Sequence, residues 1–165
     1  MELSWMGRYR ELVRALVFYS NNSNRGVMKK LSSQETPRLT QHEYQILEYV
    51  CEFEDENRIM SNISSDLGIL QSNITKATKH LLELGLVERY RLPGNKKSIV
   101  LKPTEAGTST YTLYYSREVS PVFSQFFDML SGFSDEQISQ FENALWSLSR
   151  QWGSLADKEL LEKIE

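Results

Sequence analysis

At 165 residues, with 40% hydrophobic and 25% charged side chains, the chain has room for one core, or one core with helical extensions. No run nears the roughly 18 apolar residues of a membrane span, the N-terminus lacks a basic segment followed by an apolar one, and a lone cysteine, Cys51, excludes an internal disulfide or a zinc site built from cysteines; a cytoplasmic protein is expected. The net charge of −3 weighs against a polyanionic partner, but residues 71–102 hold seven bases and two acids, a local +5 that leaves −8 for the rest.

In chain order, Trp5, Tyr9, Leu12 and Leu16 recur at spacings of four, three and four, which predicts an amphipathic helix over residues 3–17. The "YSNNSNRG" segment weakens its extension toward Leu31, because asparagine, serine and glycine favour local turns. Pro37 closes a loop, Thr40 is placed to cap the next helix, and Glu43 completes a capping box. That helix, "QHEYQILEYVCEF", turns Tyr44, Leu47 and Val50 or Cys51 inward. The acidic run "CEFEDENR" marks a turn, and "RIM" has the make-up of a very short strand. Two short helical patterns follow, separated by "GILQ". Ser61 and Ser72 are placed as their N-caps, and Gly68 suits the left-handed end of the first. This is helix-turn-helix punctuation.

In the second of these helices Ile74, Ala77, Leu81 and Leu84 form the expected buried stripe. Ser72, Asn73, Lys76, Lys79, His80 and Glu83 are left outside, a face rich in small hydrogen-bonding groups and lysine. A helix end inserted into a major groove uses such groups to reach base edges and phosphates. The bland alternative is a solvated lysine-rich face. "LVERYRLPGNKKSIVLK" then reads as a two-stranded hairpin with "PGNK" at its tip, a wing whose Lys96 and Lys97 could touch backbone or minor groove. Thr104 caps a long aromatic helix that Pro121 should kink or interrupt, and "SDEQ" opens a last helix with Ile138, Phe141, Leu145 and Leu148 as its stripe.

From residue 39 to about 149 the sequence resembles the MarR family of winged-helix transcription regulators. "LTQHEYQILEYV" looks like that family's second helix, "ISSDLGILQSNITKATKHLLELGLVER" is similar to its helix-turn-helix, and "LKPTEAG" matches its Leu-Thr-x-x-Gly region with Pro103 where leucine is usual. The wing departs from the pattern: Asn95, Lys96 and Lys97 stand where an aspartate, a basic residue and an arginine are usual, so the planar guanidinium fork and its charge partner are missing.

The resemblance implies a mainly α fold with a small β-hairpin wing, an α+β winged helix-turn-helix, flanked by long terminal helices. It divides the chain into an N-terminal dimerisation helix and loop (residues 1–36), a DNA-binding domain (37–102) and C-terminal dimerisation helices (103–165). Expected partners are duplex DNA and a second copy of the chain. Trp5, Tyr9, Phe123, Phe126, Phe127, Phe141 and Trp146 are candidates for the dimer interface, with an internal core as the alternative for each. The expected function is a homodimeric repressor on a pseudo-palindromic operator, relieved by a small aromatic or anionic effector; the alternative is a winged-helix protein-interaction module. DNA-binding candidates are Ser61, Ser72, Asn73, Thr75, Lys76, Lys79, His80, Arg91, Lys96 and Lys97. Effector candidates are Tyr9, Phe18, Tyr19, Tyr44, Tyr111 and Tyr115. No catalytic residue, metal or cofactor is expected: His42 reads as a solvent residue and Cys51 as a small buried hydrophobe, the first helix lacks the cysteine of peroxide-sensing relatives, and residues 111–130 lack the histidines of zinc-sensing ones.

Overall fold

Thr40 begins the winged-helix core as the sequence predicts. Its hydroxyl accepts from the Glu43 N–H at 3.3 Å while Glu43 Oε2 accepts from the Thr40 N–H at 2.6 Å, a complete capping box at the start of helix α2, Gln41–Glu52. In this computed structural model, which describes residues 4–28 and 37–156, the chain divides into two compact units, Met1–Arg117 and Glu118–Glu165.

In the first unit, a 3₁₀ turn at Ser4–Tyr9 leads into helix α1, Arg10–Met28. Gly7 takes φ 48°, ψ −132° inside that turn, so the single helix expected over residues 3–17 is broken at its start. It also runs further than its local propensity suggests, through "YSNNSNR". After α2, the acidic run forms a 3₁₀ turn at Glu54–Glu56, where like charges stay solvated. The predicted short strand reduces to one bridge, Ile59 to Val100.

Helices α3 (Met60–Leu67) and α4 (Gln71–Glu83) form the helix-turn-helix. Gly68 ends α3 at φ +64°, a conformation that glycine adopts without a Cβ penalty. Neither Ser61 nor Ser72 is an N-cap: both helices begin earlier, at caps Ile59 and Leu70. Strand β1 (Val87–Leu92) pairs antiparallel with β2 (Asn95–Pro103). Gly94 at φ +78° after Pro93 meets the demand of a type II turn. The register jumps from Arg91 opposite Ile99 to Leu92 opposite Asn95, so β2 bulges beside the tip.

Helix α5, Glu105–Tyr114, closes the unit. Thr104 Oγ1 donates to Gly85 O at 2.7 Å and accepts from the Gly107 N–H at 3.0 Å, fastening α5 to the end of α4. Leu39, Ile46, Leu47, Ile74 and Leu81 are fully buried at the centre of the core, with Tyr44, Ile63, Leu86, Val87 and Leu101 around them. Burial of such side chains contributes about 1.5–3 kcal/mol each before entropy is charged.

A π-helical turn at Tyr115–Val119 precedes helix α6, Ser120–Leu130. Pro121 lies in the first turn of α6, where its missing N–H costs nothing, and the widened turn before it is the interruption expected of a proline inside a helical run. In the second unit α6 and helix α7, Asp135–Ala156, surround an apolar groove of about 430 Å³ formed by Phe126, Phe127, Leu130, Ile138, Phe141 and Leu145. Phe123, Phe127, Val122 and Trp146 stay exposed on this chain.

Candidate nucleic-acid interface

Helix α4 is held by its inner face and leaves a polar outer one. Ile74, Ala77 and Leu81 are buried as predicted, but Leu84 is 40% exposed and Thr78 is fully buried in its place. The helix ends at Glu83 with Leu84 as its C-cap, so the apolar stripe cannot continue by period. The Leu86 N–H instead reaches back to Leu81 O at 3.0 Å, and Leu86 and Val87 complete the core.

On the outer face Ser72, Thr75, Lys76 and Lys79 are exposed and Asn73 is half-buried. The first turn carries no acid. Thr75 Oγ1 donates to Gln71 O at 2.9 Å, which commits its proton to the helix, whereas Lys79 lies 3.7 Å from Glu83 and shares its charge. Ser61 is exposed in the first turn of α3 and Arg91 is exposed on β1. The side chains of Lys96 and Lys97 lie outside the described residues.

His80 departs from its expected place on the groove face. Its Nδ1 lies 2.8 Å from Oε1 of the buried Glu43, so the ring turns inward and joins the last turn of α4 to the capping box of α2. The sequence signal was the capping box itself: its glutamate has a second carboxylate oxygen that a neighbouring element can use. His42, expected in solvent, is half-buried.

Sequence reasoning also missed a cluster that fixes α3 against α2. The Tyr49 hydroxyl donates to Asp66 Oδ2 at 2.6 Å, and Arg58 reaches Asp66 at 3.2 Å and Glu56 at 2.7 Å, with its guanidinium 3.4 Å from the centroid of Phe53. The Tyr49 hydrogen bond holds the Asp66 carboxyl below the usual carboxylate range, while burial and the bond to Asp66 push the Tyr49 phenol up. The sequence showed only isolated residues 17 apart.

Residues 39–99 match the MarR family. The chain carries a MarR-family domain. It is 26% identical over 117 residues to an uncharacterised HTH-type transcriptional regulator, YhjH, of Bacillus subtilis (strain 168), an alignment covering 70% of this chain and 64% of that one. The chain therefore spans just under two thirds of that curated relative's length. Among solved structures, the fold is similar to the zinc-responsive MarR family member ZitR of Lactococcus lactis (TM-score 0.59, 19% identity, 87% of this chain and 97% of that one). It is similar also to Streptococcus pneumoniae FabT in complex with DNA (TM-score 0.60, 18% identity, 89% and 99%). The winged-helix fold expected from the sequence is thus that of MarR structures.

The six aromatic residues expected to bind an effector do not share one environment. Tyr44 is 2% exposed, a core residue whose ring stacks on Tyr114 with centroids 3.6 Å apart. The Tyr111 hydroxyl donates to Glu48 Oε1 at 3.1 Å, and burial together with that carboxylate holds the phenol protonated far above its ordinary range. Tyr115 lies beside Tyr111, while Tyr9, at the end of the 3₁₀ turn, and Phe18 and Tyr19, on α1, are more than half exposed. Cys51 is half-buried, and burial pushes its thiol up, away from the reactive thiolate. Among the described residues no group of three or more His, Cys, Asp or Glu is arranged to hold a metal, and no helix is long and apolar enough to cross a membrane.

Proposed function

We propose that the protein is a DNA-binding transcription regulator that acts in the cytoplasm as a homodimer on a pseudo-palindromic operator. The observation that carries this reading is the outer face of α4: hydroxyl, amide and lysine groups on a helix braced from behind, with no acid in its first turn. Such a face complements base edges and phosphates in a major groove. In this reading residues 37–102 bind DNA, residues 1–36 and 103–165 pair the protomers, and α5 serves both parts. Two-fold pairing sets the recognition helices about 34–36 Å apart, one turn of the duplex.

We also infer repression relieved by a small aromatic or anionic effector, for which the exposed aromatic rings of α1 and of Tyr115 are the supporting feature. The effector reading is tested by titrating salicylate and benzoate against the protein–DNA complex: release at millimolar ligand supports it, and unchanged binding counts against it.

Selection of duplexes from a random library tests the DNA reading. Enrichment of an inverted repeat, bound with an affinity that falls steeply with salt, is expected. Absence of salt-sensitive binding at low ionic strength would instead favour a protein-interaction module. On the selected operator, Asn73→Ala should cost about 1–3 kcal/mol while random DNA is bound nearly as before.

A further inference from the structure

Leu70 is the cap residue of α4, yet it makes no side-chain capping bond and its side chain is 72% exposed. Both facts disfavour leucine locally, since serine, threonine, asparagine or aspartate would satisfy a free N–H of the first turn. The backbone leaves the side chain no inward route. Ser64 Oγ, on α3, donates to Ile69 O at 2.8 Å, Ile69 is 7% exposed, and Leu70 follows at φ −56°, ψ 137°. With Ile69 fixed in the core, Leu70 is directed outward, beside Gln71 and Ser72 and one turn before Asn73 and Ile74.

A branched apolar side chain therefore stands at the leading end of a surface that is otherwise hydroxyl, amide and ammonium. Within a major groove the base edges present donors, acceptors and one apolar group, the C5-methyl of thymine. We propose that Leu70 is a specificity-determining residue that packs against a thymine methyl in each half-site. The assignment rests on the DNA-binding reading and adds to it a preference for thymine at one position of each half-site. It also accounts for a poor cap at the start of this helix: the position is given to contact instead of local stability.

Deoxyuridine tests this atom by atom, because it differs from thymidine only by that methyl. Duplexes selected with the full chain are remade with each thymine replaced in turn by deoxyuridine. At one position per half-site the wild type should lose about fourfold in affinity, the value of one buried methyl group. Leu70→Ser and Leu70→Ala should bind thymine and uracil forms equally, with Leu70→Ser melting no lower than wild type because it restores a cap. If no duplex is bound or enriched, the DNA reading falls and this inference with it. If an operator is enriched but no thymine is sensitive, or both variants keep the wild-type thymine-to-uracil ratio, the DNA reading stands and the Leu70 assignment is overturned, as it would be were Leu70 a docking point for a protein.

Discussion

Gly107 shows how a single missing atom fixes a helix. A Cβ at this position would lie 2.0 Å from Leu86 O and 3.4 Å from Leu47 Cδ1, so α5 can close on the core only with glycine here. Gly107→Ala should destabilise the protein at the upper end of the roughly 1–3 kcal/mol typical of overpacking, read from the midpoint of urea unfolding. Thr78 predicts the opposite sign. Its hydroxyl is fully buried with no hydrogen-bond partner, so Thr78→Val, which keeps the shape, should leave stability unchanged or raise it by about 1 kcal/mol. Asp66 supplies a pH dependence. Its folded-state pKa is lowered, chiefly by the Tyr49 hydroxyl, so its stabilising contribution is complete above the ordinary carboxylate value of about 3.9 and is lost as pH falls through the lower folded value. Tyr49→Phe should raise the Asp66 pKa in an NMR titration of its carboxyl carbon and shift that loss to higher pH; an unmoved titration would mean that Ser65 and Arg58 set it.

Among the elements, α4 divides its lysines by environment. Lys79 shares charge with Glu83 at 3.7 Å, whereas Lys76 projects one turn earlier on the same exposed face. Each neutralised phosphate contributes about −0.9 to the slope of log affinity against log salt. Lys76→Ala should therefore flatten the slope of a dimer by about 2, Lys79→Ala by less, and Glu83→Gln should steepen it by releasing Lys79. Equal slopes in all three would place the electrostatic contact elsewhere, on Arg91 or the wing. The helices were legible because their periods and capping boxes are local properties. Their ends were less so. The serines favoured as caps lost to Ile59 and Leu70 because turn geometry between packed helices, anchored by Ser64 on Ile69 O, overrode the capping preference of the serines two residues on.

For the whole molecule, the apolar surface of the terminal helices calls for a partner. Phe123, Phe126, Phe127 and Trp146 are all more than 40% exposed in the second unit, as are Tyr9 just before α1 and Leu12 on it, a density of large exposed apolar groups that marks an interaction surface. Light scattering should give twice 19.2 kDa at micromolar concentration, and Phe126→Glu should lower that mass and weaken operator binding while leaving the winged-helix core folded. Dimeric Phe126→Glu would move the interface off α6. Composition, period and motif order determined by themselves the winged-helix fold, the inward stripe of α2, most of that of α4, and the basic character of residues 71–102, because each is written in consecutive residues. Only the tertiary structure decided that His80 pairs with Glu43, that Thr78 replaces Leu84 in the core, that Tyr44 stacks on Tyr114, and that Tyr49, Arg58 and Asp66 form one cluster. These are pairings between residues 8 to 70 positions apart or consequences of where a helix stops. Their energies depend on a geometry that no local pattern encodes.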